Sequence, residues 1–318
     1  MAASNDTIVT RAPTRIDFGG GWTDVPPYSD EMGGFVCNLA ITRYATVTLS
    51  RDTLEFERTS AADRAIVNAA ARRFGVAGAR ISARSDFPIS AGLGGSSAIG
   101  VAAVAALAAA QGDSMGPDDL AELSRDIEIA DVGIPGGRQD HYAAAHGGAL
   151  GLRFSANGVD VRHIPLSSEF TETIERRCFI VYTGQSRISG DTIEAVLRAY
   201  SRREKNVMRC LELMRGTAES MADAMAAGDL DALAELTRKQ WKHQRSLHPA
   251  IPTPLIDSII YHANGAGALG AKALGASGGG CVLVIAPHNG VDPVREAVSS
   301  LGEILPFRVA PCGVERCA

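Results

Sequence analysis

An α+β fold in two lobes is what this sequence predicts, and three observations predict it. The first half is rich in alternating, β-branched runs interrupted by two central helices. The second half is mostly long helices laid against a few apolar strands. The texture changes near residues 165–185, with no repeat and no low-complexity linker on either side. A cleft between the lobes is the expected place for a ligand.

Each element has its own justification. Ile8–Arg11 reads as the first strand, and Gly33–Ile41 and Tyr44–Ser50 alternate as two more. Ser60–Gly75 opens on a capping serine and stops at a glycine, with Ile66, Val67, Ala70 and Phe74 at helical spacing. Ala79–Phe87 is a further strand. A glycine-rich loop then feeds a helix over Ser97–Gln111. A second helix runs from Pro117, where Asp118 and Asp119 suit the N-terminal dipole, to Asp131. Asn157-Gly158, between two alternating runs in Gly148–Leu166, signals a hairpin. Cys178–Gly184 reads as a buried strand. Asp191–Ala227, Asp229–His248 and Thr253–Gly267 read as helices, the last stopped by its glycines. Cys281–Pro287 is an apolar strand, Val291–Leu301 a helix, and Pro306–Pro311 a last strand. The expected lobes are residues 1–170 and 171–318.

Composition narrows the function. The 318 residues are 46% hydrophobic and 21% charged, with a formal net charge of −5. No Lys/Arg stripe stands out, so a nucleic-acid or membrane-surface partner is not expected; Arg198–Asn206 reads as the solvated face of a helix. The six cysteines are scattered without a CxxC. Residues 1–13 have no apolar signal-peptide core and no window reaches the length of a membrane span, so the cytoplasm is the expected location. The histidines show no HExxH-like pairing with a carboxylate.

The most informative stretch is the loop Gly92–Ser97, which precedes an unbroken run of small apolar residues. It fits three readings. It is a tight strand–helix turn that binds nothing, a dinucleotide fingerprint, or a phosphate cradle at a helix N-terminus. The dinucleotide reading is weak, because no acidic residue ends a strand about twenty residues on. The Walker pattern fails for want of a lysine after the glycines. In a cradle, the backbone N–H groups face an anion and a hydroxyl of Ser96 or Ser97 faces phosphate or Mg²⁺.

The company the loop keeps chooses between them. RAPTRIDFGGGWTD (Arg11–Asp24), PISAGLGGSSA (Pro88–Ala98) and KALGASGGGCVLV (Lys272–Val284) follow one another in this order. They resemble the three motifs of the galactokinase, homoserine kinase, mevalonate kinase and phosphomevalonate kinase (GHMP) superfamily of small-molecule kinases. Gly19–Ile41, Gly133–Gly148, Tyr182–Gly190 and His243–Leu247 add a likeness to bacterial D-glycero-D-manno-heptose 7-phosphate kinases. Arg15–Ser29 also looks like L-fucokinases. The resemblance implies an N-terminal ATP-binding lobe like the second domain of ribosomal protein S5 and a ferredoxin-like α+β C-terminal lobe. It implies ATP and Mg²⁺, and a sugar or sugar-phosphate substrate phosphorylated at the anomeric C1 hydroxyl. The assembly is left open, a homodimer included.

Site residues follow from the same resemblance. Asp140, in GGRQDHY, matches the catalytic aspartate, and Arg15 matches the arginine that keeps it ionised and steadies the transferring charge. Pro88, Gly92, Leu93, Gly94, Gly95, Ser96 and Ser97 fall on the nucleotide loop, and Ser96 with Glu128 on the Mg²⁺ ligands. Trp22, Thr23 and Asp24 fall on the sugar site; Trp22 stands where galactokinases have His and Gly21 where they have Glu. Gly278 and Gly279 approach the phosphates or the sugar, and Arg187, ahead of Arg43 and Arg138, is a candidate partner for a substrate phosphate. Two departures stand out: Ser277 replaces a usual Gly, and Gly95 a usual Ser. An L-fucokinase or another polyol kinase is the rival within the class. A non-catalytic sugar- and ATP-binding protein is the rival outside it, and the intact Arg15, Glu128 and Asp140 argue against that.

Overall fold

The computed structural model describes residues 7–50, 56–57, 59–76, 80–185 and 190–317. In chain order its strands are β1 (Ile8–Gly19), β2 (Gly34–Ser50), β3 (Phe56–Glu57), β4 (Arg80–Ser85), β5 (Ala149–Ser155), β6 (Gly158–Ile164), β7 (Cys178–Tyr182), β8 (Gly270–Ala273), β9 (Cys281–Ile285), β10 (Glu303–Leu305) and β11 (Glu315–Cys317). Its helices are α1 (Tyr28–Met32), α2 (Ala61–Arg73), α3 (Gly95–Ala110), α4 (Pro117–Asp126), α5 (Gln139–His146), α6 (Ser168–Arg177), α7 (Gly190–Ser201), α8 (Lys205–Ala226), α9 (Leu230–Gln244), α10 (Pro254–Gly265) and α11 (Val291–Val298). A five-residue π-helical segment, Ile127–Asp131, continues α4.

Two sheets organise the chain. One runs β11-β1-β2-β4-β3, with β5 and β6 added on β2; the other runs β10-β7-β9-β8. β2 is long enough to serve two partners on one side. Gly34–Leu39 pairs with β5 and Ala45–Ser50 with β4, while β1 runs antiparallel along its other side. α3 is buried almost all round against β1 and β2, which its run of Ala, Val and Gly permits by letting backbones approach closely. α8 crosses from the second unit onto β2. Its Ala218, Met221, Ala222 and Met225 enter the core of the larger sheet, while Val207, Cys210, Leu211 and Met214 enter that of the smaller.

The structure departs from the sequence expectation at several places. Gly33–Ile41 and Tyr44–Ser50 form one strand, because the polar break at Thr42-Arg43 is a bulge: the register slips there against Pro13 and Thr14. β1 extends well past Arg11 to Gly19. Pro306–Pro311 is not a strand and contributes one isolated bridge, Ile41 to Val309. Prolines at both ends remove ladder donors, and the true strands there are β10 and β11. α5 lies in a stretch whose glycine-rich flanks hide its helical character, and α6 in the segment read as a join.

One charged contact ties the sheets together. Lys272 of β8 is fully buried, and its Nζ donates to the Asp17 carbonyl at 2.6 Å and lies 3.3 Å from Asp17 Oδ2 on β1. Burial holds the lysine below its usual range, with Asp17 pulling the other way. Removing one member of a buried pair strands the other. Lys272→Met is therefore expected to cost about 3–5 kcal/mol in urea unfolding, and adding Asp17→Asn to recover part of it.

Candidate active site

Arg15 lies on β1, where the strand is buried on both faces, and each nitrogen of its guanidinium has a partner within the chain. Nε donates to Asp140 Oδ1 at 2.7 Å, Nη2 lies 2.7 Å from the same oxygen, and Nη1 donates to the Gly92 carbonyl at 2.7 Å. The Arg15 N–H donates to the Leu93 carbonyl at 3.0 Å. The glycine loop thus turns its carbonyls toward Arg15. The first-turn N–H groups of α3, over Gly95, Ser96 and Ser97, are left without intrahelical acceptors, as at any helix start.

Asp140 stands in the first turn of α5, directly against that loop. A Cβ built on Gly94, whose φ is +75°, would sit 3.0 Å from the Asp140 Cγ. The Arg15 side chain is 3% exposed and that of Asp140 25%, so the carboxylate is the member of the pair that solvent or a ligand can reach. Burial pushes Asp140 above the ordinary carboxylate range, and Arg15 opposes the shift.

A second carboxylate faces the same helix start. Glu128 lies on the π-helical segment, a geometry frequent at functional sites. Ser96 Oγ donates to its Oε1 at 2.8 Å and Ser97 Oγ to its Oε2 at 3.3 Å. His141 Nε2 is 2.8 Å from Oε2. Burial would raise this carboxylate, but the bonds from His141, Ser96 and Ser97 outweigh it and hold Glu128 below its usual range. Ser96 and Glu128 offer two hard oxygens beside N–H groups. This suits a small hard cation that takes its remaining ligands from phosphate and water.

The first motif builds the far wall. Asp24 is 2% exposed, and its Oδ2 accepts the N–H of Gln139 at 3.1 Å. A side chain at Gly137 would collide with that carboxylate. Burial pushes Asp24 up to about 6, against the Gln139 bond and with help from the nearby Asp140 and Asp17 charges. Thr23 is wholly buried, its hydroxyl bonded to the Gly20 carbonyl at 2.7 Å and to the backbone of Phe35 at 3.1 Å, so it staples the turn. Trp22 packs in the smaller core with an unpartnered indole N–H and a left-handed φ of +79°.

The remaining residues spread out. Pro88 is half-buried ahead of the loop and Leu93 buried within it. Gly278 and Gly279 are buried, and the Gly278 N–H is committed to the Ile251 carbonyl. The same loop presses Leu274 and Gly275 against Gly92. Arg43 is tied to the carbonyls of Pro306 and Asp86, and Arg138 lies 3.9 Å from Asp30. Arg187 lies outside the described residues. Both departures from the motifs have a physical reason. The Phe87 ring occupies the space a side chain at Gly95 would need. Ser277 takes a left-handed φ of +66° that glycine adopts freely, and accepts a bond from Gln244 Nε2 at 3.0 Å. Sequence reasoning did not single out Asp17, Gln139 or Lys272, and passed over His141. The available signal was charge and polarity inside strands and turns whose other residues are apolar or glycine.

Comparison with known proteins gives the family and the fold. Family models for the GHMP kinases N terminal domain and the GHMP kinases C terminal match residues 62–148 and 221–304. The chain is 28% identical to the D-glycero-alpha-D-manno-heptose 7-phosphate kinase of Campylobacter jejuni over 91% of each. It is 31% identical to the mevalonate kinase of Aeropyrum pernix, over 72% of this chain and 67% of that one. A solved D-glycero-D-manno-heptose 1-phosphate kinase from Bacteroides thetaiotaomicron superposes with a TM-score of 0.75 at 22% identity, covering 98% of this chain and 99% of that one. The chain belongs to the GHMP kinases. It is an ATP-dependent phosphotransferase with an alcohol group as acceptor, and its two-sheet α+β architecture is the GHMP kinase fold.

The buried Asp24 makes a prediction about stability. Its carboxyl titrates higher in the fold than the ordinary 3.8, so the protonated form is the one the fold favours. Stability from this group is present below about pH 4 and is lost as pH rises to about 6. Asp24→Asn is expected to stabilise the protein above that window by up to about 3 kcal/mol, and to give little gain near pH 4. Thermal melts of the two proteins across pH check this.

Proposed function

We propose that this kinase transfers the γ-phosphate of ATP to the anomeric C1 hydroxyl of a sugar phosphate of the heptose 7-phosphate class. The observation that carries the chemistry is the Arg15–Asp140 pair lying against Gly92–Gly94, which places a reachable carboxylate beside a phosphate-cradling helix start. The whole-length likeness to a heptose 7-phosphate kinase supports the substrate class.

In this reading the N–H groups of Gly95–Ser97 bind the phosphates, helped by the amino-terminal dipole of α3. Ser96 and Glu128 hold Mg²⁺, which neutralises phosphate charge when bound. Asp140 takes the proton of the attacking hydroxyl, and its raised basicity, set by burial, suits it to that task. Arg15 keeps Asp140 oriented through Oδ1 and offsets negative charge near the transfer. Asp24 accepts from a sugar hydroxyl, and Trp22 offers a ring face. Arg187 and Arg138 are the residues we assign to the substrate's own phosphate, and Gly278 and Gly279 permit its close approach. Residues 1–170 supply the nucleotide side and 171–318 the closing side.

Asp140→Asn is expected to leave nucleotide affinity within about twofold and to lower kcat by about a thousandfold. Isothermal titration with a non-hydrolysable nucleotide and a coupled ADP assay separate the two effects. Turnover at the wild-type rate in that variant sinks the Asp140 assignment. A kinetic panel of heptose 7-phosphate, heptose, fucose, galactose and mannose, with product NMR, tests the substrate. The expected result is that kcat/KM is highest for the heptose 7-phosphate and that the new phosphate is on C1. A preference for unphosphorylated fucose favours the fucokinase reading instead.

A further inference from the structure

Glu128 is held by more than the helix start it faces. His141 Nε2 lies 2.8 Å from Glu128 Oε2, and on the other side of the ring Nδ1 lies 3.0 Å from Ser124 Oγ. All three groups are buried: Ser124 is 0%, His141 1% and Glu128 5% exposed. A carboxylate only accepts, so a hydrogen in the first contact sits on Nε2; in the neutral ring Nδ1 then receives the Ser124 hydroxyl, and in the protonated ring it donates to the Ser124 oxygen. The chain then closes on itself. A side chain at Gly100 of α3 would collide with Ser124 Oγ. Gly100 lies one turn beyond Ser96 and Ser97, which hold the other end of Glu128. Three helical segments are thus joined in one ring: α3 through Ser96, Ser97 and Gly100, α4 with its π-helical extension through Ser124 and Glu128, and α5 through His141.

We propose that Ser124 and His141 are positioning residues that fix the orientation of Glu128, so that Oε1 is the oxygen it would offer to the nucleotide's divalent cation. The argument is one of occupancy. Oε2 already accepts from His141 and Ser97, whereas among the described residues Oε1 accepts only from Ser96, the residue assigned to the same cation. Rotation of the carboxylate would break two bonds in a buried site. Outer hydrogen bonds of this kind orient metal ligands, and their loss commonly weakens binding about 10- to 100-fold. His141 also follows Asp140 directly in the first turn of α5. One turn of helix therefore sets both the carboxylate that faces the acceptor and the ring that steadies the cation ligand. Gly100 has a role here too: without a side chain it leaves room for the hydroxyl that locks the imidazole.

This inference rests on the reading of Ser96 and Glu128 as cation ligands, and the experiment separates the two. Affinity for AMP-PNP is measured by isothermal titration with Mg²⁺ and with EDTA, and the ratio of the two constants reports the cation's contribution. Glu128→Gln is expected to abolish that ratio; if it leaves the ratio intact, the ligand reading itself fails. His141→Leu and Ser124→Ala are expected to reduce the ratio about tenfold, with metal-free affinity unchanged. Gly100→Ala, which expels the Ser124 hydroxyl without removing it, is expected to match Ser124→Ala. His141→Gln, whose amide can donate to Oε2, is expected to retain most of the ratio. If Glu128→Gln abolishes the ratio while His141→Leu, Ser124→Ala and Gly100→Ala all keep it, the positioning role is overturned. Equal losses with and without Mg²⁺ overturn it as well, since they mark general damage to the nucleotide site. Should His141→Leu fail to fold, Ser124→Ala and Gly100→Ala carry the test.

Discussion

A guanidinium buried in the middle of a sheet has to be satisfied on the spot, and the way Arg15 is satisfied organises this site. Its side chain is almost inaccessible, yet every bond it makes reaches a residue from another motif: the Gly92 carbonyl in the loop and the Asp140 carboxylate in α5. The glycines are what allow those elements to come close. Gly92 and Gly94 adopt left-handed conformations, and Asp140 rests where a side chain at Gly94 would be. The loop shape, the placement of the carboxylate and the strand that carries the arginine are consequences of a single burial problem and its solution.

Charge is otherwise spread through the interior in compensated pairs. Lys272 answers Asp17 across the two sheets, and Arg15 answers Asp140. Asp24 has no such countercharge: among the described residues its direct partner is a backbone N–H, and burial pushes its carboxyl up to about 6. A buried polar group kept at a cost to stability is a feature expected of a binding surface rather than of a core.

The sequence carried the architecture and the main actors further than it carried their connections. Arg15 and Ser96 could be picked out as candidates because each sits inside a motif whose order along the chain is specific, Asp140 because it stands in GGRQDHY, and Glu128 by its place twelve residues before Asp140. The structure brings Arg15 and Asp140 into one contact and Ser96 and Glu128 into another. The ring through Ser124, His141 and Gly100 was not legible. A serine, a histidine and a glycine at separations of 17 and more residues carry no periodic signal; their meaning is created by helix packing. Thr23 illustrates the reverse. Its place in a motif suggested contact with sugar, whereas its hydroxyl is consumed by the turn itself. The β2 bulge and the three-residue β11 escaped for a simpler reason. Polar Thr42-Arg43 looks like a strand end, and Glu315–Cys317 is too short to alternate.

β11 has a consequence for how the protein is made. It pairs with β1, and Arg11 of β1 bonds Glu315 across 304 residues of chain. As the polypeptide leaves the ribosome, the strand bearing Arg15 emerges about 300 residues before its outer neighbour. While the intervening chain is made, one margin of the larger sheet therefore stays open, a row of free donors and acceptors awaiting a partner. Folding can begin early around β1, β2 and α3, yet the sheet is not sealed until residues 315–317 arrive.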